Sequence, residues 1–149
     1  MTVLDDEARS LLDAAMVARI ATVSSGGRPH VNPLYFVVDG DRIHLGTATV
    51  TLAARNVRAN PEVQILFEVE ADPEDRRLLR VDGTAVVSTE AGLLRRYRNR
   101  DARKYVLTGR GLWNLLAHVR QWRPMSRHLR GGDACVIDVT PTSAVMVRR

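Results

Sequence analysis

Apolar positions in this chain recur mostly at every second residue, in short runs separated by glycine- and proline-bearing turns. Residues 19–23 set Ile20 and Thr22 on one face against Ala21 and Val23 on the other. Residues 28–38 form a second extended run, in which Pro29 and Pro33 limit how much can lie centrally in a sheet. Residues 42–47 form a third, and Gly26-Gly27 and Asp39-Gly40 supply the hairpin turns between the three. Residues 62–69 alternate Val63, Ile65, Phe67 and Val69 against Glu62, Gln64, Leu66 and Glu68, the mark of a half-buried strand. Residues 78–88 predict another, with Gly83 at a bulge or a close backbone approach. Residues 134–139 and 143–147 predict two closing strands, split by Thr140-Pro141.

Helical spacing intervenes in four places. Leu4, Ala8, Leu11, Leu12, Ala15 and Met16 form a stripe that Asp5 or Asp6 can cap. A short helix over 51–59 stops at Asn60-Pro61, because proline disfavours the helical conformation in the residue before it. Thr89 can cap a helix over about 90–99. Leu112, Leu115, Leu116, Val119 and Trp122 share one face of a helix over about 111–121, which Pro124 stops before a basic, glycine-rich loop at 127–133. With no helix between the second and third strands, a doubly wound parallel sheet is excluded. The pattern predicts a mainly β fold with some α, an antiparallel barrel with appended helices.

At 149 residues the chain fits one domain, 1–149, able to bury about two-thirds of its surface. A hydrophobic fraction of 45% excludes disorder. Cys135 is the only cysteine, so no internal disulfide or cysteine-based metal site can form, and a reducing cytoplasm is the expected compartment. The acidic start MTVLDDEARSLLDAAM is not a signal peptide, and no apolar run reaches the ~20 residues of a membrane helix. Charge is unevenly placed. Residues 95–130 hold eleven basic side chains against Asp101 alone, so that stretch carries +10 and the remainder −5 of a net +5.

Candidate chemistry centres on residues 46–56. A loop of small and hydroxyl residues leads into a helix start, where unpaired N–H groups and the helix dipole favour an anion. Thr47, Thr49 and Thr51 are candidate anion contacts or simply turn and capping residues. Arg55 and Asn56 either bind phosphate or form a solvated face and a sheet contact. Tyr35 is expected to pack in the barrel. His30 and His44 fall on neighbouring strands and could face each other, but nothing joins them at a metal-binding spacing, and no metal site is expected. Cys135 is expected to be buried packing. The basic stretch has three readings: a lid over a cofactor, a nucleic-acid contact, or a helix on an anionic membrane. Its apolar stripe and the lack of a nucleic-acid motif favour the lid.

The run ARIATVSSGGRPHVNPLYFVVDGDRIHLGT, followed by AARNVRANPEVQILFE and RVDGTAVV, resembles the split-barrel flavin-binding proteins of the pyridoxamine 5′-phosphate oxidase type. Within them it is most similar to the small actinobacterial branch using FMN or the deazaflavin F420. VIDVTPTSAVMV at 136–147 fits that family's closing strands. The resemblance implies an FMN-binding split barrel and a homodimer holding its cofactor at the subunit interface. It implies that Val31, Asn32, Pro33, Leu34 and Tyr35 run along the flavin ring. Thr47, Ala48 and Thr49 would lie near the phosphate, with Thr51 as the hydroxyl residue at the helix start. The Arg and Lys usual at the next two positions are Leu52 and Ala53 here, leaving Arg55 or an arginine of the basic stretch to compensate. Leu78 stands where a glutamine often contacts the ring. The implied activity is FMN- or F420-dependent hydride transfer to or from a small molecule. The alternatives are a non-catalytic barrel for haem, flavin or a hydrophobic ligand, in which the resemblance to haem-binding members of the superfamily makes His118 or His128 a candidate axial ligand, and an anionic-polymer or membrane-surface binder acting through residues 95–130.

Overall fold

A computed structural model describes residues 2–105 and 132–148. The helix expected over 111–121, most of the basic loop after it, and His118 and His128 lie outside the described residues. Helix α1 (Asp6–Ala14) starts as expected: the Asp5 carboxylate accepts from the Ala8 N–H at 2.8 Å, and Ala8, Leu11 and Leu12 are buried. Strands β1 (Ala18–Val23), β2 (Pro29–Leu34), β3 (Phe36–Asp39) and β4 (Arg42–Ala48) follow, then helix α2 (Leu52–Ala59). Strands β5 (Glu62–Glu68) and β6 (Arg77–Ser88), helix α3 (Ala91–Tyr105) and strand β7 (Ala134–Arg148) complete the described chain. All pairings in the seven-stranded sheet are antiparallel, in the order β2-β1-β5-β6-β7-β4-β3.

The two edge strands of that order, β2 and β3, are consecutive in the chain and joined through Tyr35 alone. The expected single strand over 28–38 is therefore two. Its first half pairs with β1 as far as Leu34 opposite Ala18, and its second half pairs with β4 from Phe36 opposite Leu45. The Gly46 N–H donates to the Tyr35 carbonyl at 3.2 Å, so the sheet curls until its edges meet there. Pro29 and Pro33 lie in β2, at the edge of the order, where a missing donor costs little.

The closing strands expected as two are one strand of 15 residues, β7. Thr140-Pro141 does not interrupt it, because the β6·β7 register shifts between Asp82 and Gly83, and Gly83 then stands opposite Pro141. A Cβ on Gly83 would lie 2.7 Å from the Thr140 carbonyl oxygen, so the bulge requires glycine. The core fills the concave side of the sheet with Phe36, Phe67, Ile20, Ile43, Ile65 and Leu79, and Leu4, Leu11 and Leu12 join it from the α1 segment.

Helix α3 runs six residues past its expected end because its second half is anchored. Tyr97 packs over Gly46, where any Cβ would collide with the phenol ring. The Tyr105 hydroxyl accepts from the Phe36 N–H at 3.2 Å and donates to the Met16 carbonyl at 2.7 Å. Ser88, not Thr89, supplies the hydroxyl before the helix, accepting from Glu90 N at 3.3 Å. Lys104 places its ammonium over the Phe36 ring, 3.4 Å from the centroid, and donates to the Leu12 carbonyl near the end of α1. Burial lowers its pKa to about 7. Asp101 is turned inward to the Tyr97 hydroxyl at 3.3 Å, and burial raises its carboxyl to about 6.

Two outcomes follow from this packing. Gly46→Ala is expected to cost about 1–3 kcal/mol in thermal or urea denaturation, since the added methyl must displace Tyr97. Asp101 carries a folded pKa above its unfolded value, so its contribution is greatest at low pH and declines as pH rises through about 6. Asp101→Asn, which keeps an acceptor for Tyr97, is expected to raise stability at pH 7.5 by about 1–2 kcal/mol after allowance for partial exposure. At pH 4 it should change little, as denaturant titrations at the two pH values would show.

Candidate cofactor site

Strand β4 ends at Ala48, and the chain turns through Thr49, Val50 and Thr51 into α2. Thr51 is the N-cap: its hydroxyl accepts from the Ala54 N–H at 3.4 Å and donates to the Ala48 carbonyl at 2.8 Å. With that proton committed, Thr47 is the donor in the 3.1 Å contact between the Thr47 and Thr51 hydroxyls. The Thr49 N–H donates to the Asp133 carbonyl at 2.8 Å. Two of the three threonine hydroxyls thus build the turn itself. In the turn and first turn of α2, the donors left for an anion are the N–H groups of Val50, Leu52 and Ala53 and the Thr49 hydroxyl.

Positive charge reaches this turn from Arg58. Its guanidinium donates to the Thr49 carbonyl at 2.8 Å. Thr51, Arg55 and Arg58 are spaced to share one face of α2, and both arginines are exposed. Arg55 makes no ion pair among the described residues. Sequence reasoning had singled out Arg55 and missed Arg58, although its place seven residues after Thr51 was a usable signal. Asn56 proves to be the sheet contact: buried, it donates from Nδ2 to the Thr22 hydroxyl of β1 at 3.0 Å. Ala53, where a cation was missed, is also buried against the core, and Leu52 is half-buried.

The second set of expected residues converges on the same corner. Tyr35 closes β2 with its carbonyl on the Gly46 N–H, which brings the end of Val31–Tyr35 beside Thr47. Val31 and Pro33 point outward, with Val31 64% exposed, while Asn32 and Leu34 point inward. The Asn32 side-chain oxygen is buried without a hydrogen-bond partner, an arrangement that costs about 1–3 kcal/mol until a donor meets it. The Tyr35 ring packs against Tyr105 with centroids 4.7 Å apart.

The histidines do not face each other. His30 is opposite Thr22, whereas His44 is opposite Val37 and Asp138, because β2 and β4 do not pair side by side in the sheet. His44 is buried, with Nε2 3.3 Å from an Asp138 carboxylate that also accepts two bonds from Arg42 at 2.8 and 2.7 Å. Burial lowers its pKa, partly opposed by the charges of Asp138 and Asp39. Cys135 is buried in β7, and burial raises its thiol pKa. Leu78 lies on the outer face of β6, opposite Glu68 and Val147. No helix among the described residues is long and apolar enough to cross a membrane.

An antiparallel sheet curled into a split barrel, with an anion-suited helix start beside its seam, defines the class of this protein. The chain belongs to the pyridoxamine 5′-phosphate oxidase family, whose model matches residues 4–129. No protein among the curated sequences matches it. Solved structures do. A conserved hypothetical protein from Mycobacterium tuberculosis is 19% identical, with 99% of this chain and 86% of that one covered and a TM-score of 0.74. An F420 reductase is 22% identical over 92% and 94% of the two chains, with a TM-score of 0.64. HutZ, the haem storage protein from Vibrio cholerae, is 18% identical over 99% and 95%, with a TM-score of 0.62. At these identities the likeness is one of fold.

The capping role of Thr51 sets an expected outcome. Thr51→Ala should destabilise the protein by about 1 kcal/mol through loss of the cap, and Thr51→Ser should restore most of it in thermal melts.

Proposed function

We propose that this protein is an FMN- or F420-dependent oxidoreductase, working as a homodimer on a small-molecule substrate. The observation carrying this reading is the meeting of the end of β2 with β4 at the Tyr35–Gly46 bond, shortly before β4 turns into α2. One side offers a buried acceptor, Asn32 Oδ1, suited to the N–H edge of a flavin or deazaflavin ring. The other offers the Leu52 and Ala53 N–H groups and the Arg58 guanidinium, suited to its phosphate. A bound flavin or deazaflavin supplies the hydride-transfer chemistry. The chain's own residues bind and orient it: Val31–Tyr35 lie along the ring, and Thr47, Ala48, Thr49 and Thr51 shape the turn under the phosphate.

Exposed Val31, Val145 and Val147, with half-buried Leu66 and Leu78, form an apolar outer sheet face that supports covering by a second copy. The one buried cysteine supports a reducing, cytoplasmic setting. A second reading is a non-catalytic barrel for haem, flavin or a hydrophobic ligand. The uncharged Leu52 and Ala53 favour it, as does the fold shared with a haem storage protein.

Absorption spectra with titrations of FMN, F420 and haem separate the two readings. The first expects FMN or F420 to bind, with Arg58→Gln weakening FMN about tenfold while leaving riboflavin, which lacks the phosphate, unchanged. Failure of both FMN and F420 to bind would sink the oxidoreductase reading, and haem binding alone would establish the second.

A further inference from the structure

Helix α3 places five of the eleven basic residues of the 95–130 stretch on one exposed surface. Leu93, Tyr97 and Tyr105 are buried, two of them in a cluster with Val37 and Val136 of the sheet. The opposite side exposes Arg95, Arg96, Arg98, Asn99, Arg100, Ala102 and Arg103. Arg100 is paired with Asp39 at 2.8 Å. The other four arginines have no acidic partner among the described residues. Asp101, the only acid on the helix, faces inward to Tyr97 and does not offset them. The eight-residue interval from Arg95 to Arg103 makes the ridge about 12 Å long. B-DNA carries one phosphate charge per ~1.7 Å of axis, so that length faces about seven phosphates.

We propose that the exposed arginine face of α3 docks on the phosphate backbone of duplex DNA, without reading its sequence. Guanidinium groups match phosphate oxygens in bidentate geometry, and the five arginines of this face equal the chain's whole net charge of +5, which favours approach of this face to a polyanion. A membrane surface fits less well. The apolar side of α3 is already packed on the protein, and among the exposed helix residues only the small side chains of Ala91 and Ala102 are apolar. Single strands need aromatic platforms, and Tyr97 and Tyr105 are buried. A convex helix suits the wide major groove of B-form DNA better than the narrow one of A-form RNA. The lack of a nucleic-acid motif, which favoured a lid at the outset, does not weigh against a contact made only to phosphates. Nor does the proposal depend on the cofactor corner, which is built from β2, β4 and α2.

Fluorescence anisotropy with the full chain and a labelled duplex of about 24 base pairs, from about 50 to 300 mM KCl, tests it. Binding is expected to weaken with salt at a log–log slope of about −3 to −4, as for three or four neutralised phosphates. The triple variant Arg95→Gln, Arg98→Gln and Arg103→Gln should bind at least ~10-fold more weakly at low salt and lose most of that slope, while the matching Arg→Lys triple keeps most of both. Melting curves establish that the variants are folded, and Arg95→Gln alone, at an exposed position, gives a smaller loss if the triple variant is not. The proposal is overturned by no binding at about 50 mM KCl with tens of micromolar protein, or by binding that the Gln variants leave unchanged. Retention on phosphatidylglycerol vesicles without DNA binding overturns it as well.

Discussion

Where the extended run leaves β1 and takes up β4, its backbone groups lose their ladder partners at Tyr35 and Phe36. Buried backbone groups left unpaired cost about 1–3 kcal/mol each, so a strand that changes partners needs substitutes. Here they arrive from two directions. The Tyr35 carbonyl accepts from Gly46 N at 3.2 Å and lies 3.4 Å from the Tyr97 hydroxyl, while Phe36 N donates to the Tyr105 hydroxyl at 3.2 Å. Both tyrosines come from α3, which is therefore part of the barrel's closure and no appendage. Lys104, the chain's only lysine, adds a hydrogen bond to the Leu12 carbonyl and a contact with the Phe36 ring, tying α1 to the same junction. The candidate site depends on this closure, because it brings the end of β2 beside Thr47.

Local signals in the sequence reported local facts well. Asp5 caps α1, Asn60-Pro61 ends α2, and Gly83 marks a bulge, since each is decided by the backbone preferences of a few adjacent residues. The strand break at Tyr35 was not legible, because nothing in LYFVV reports that the pairing partner changes there. The unbroken β7 was hidden for the opposite reason. Thr140-Pro141 is a strong local break signal, and only the bulge at Gly83, almost sixty residues earlier, accommodates it. The end of α3 was misjudged because its basic second half has low apolar content, while its stability comes from two tyrosines that meet a distant strand.

At the candidate site, residue types were legible but directions were not. Asn56 looked like a phosphate ligand by type, yet it shares a helix face with Ala53 and Val57 and is carried into the sheet contact with Thr22. Arg58 looked remote from the loop because it stands near the end of α2. Two helical turns return it to the face of Thr51, and its long side chain spans the rest of the distance to Thr49. The threonines were rightly placed in the turn, but the hydrogen-bond census shows that two hydroxyls are engaged in holding it.

The loss of cations at Leu52 and Ala53 has a packing reason. Ala53, Ala54, Asn56 and Val57 are buried, and α2 packs on β1 and β6. A lysine at position 53 would have to bury its stem or lift the helix, and a lifted helix would break the Asn56–Thr22 bond. Close seating of α2 and a cation at position 53 are thus in conflict, and this chain has taken close seating. Among the described residues of α2, charge then comes from the outward face, where Arg58 is exposed and screened by salt. A phosphate bound there would gain less than in a buried cationic site, so more of any cofactor's affinity must come from the ring edge at Asn32 and from apolar contact with the strand that carries it.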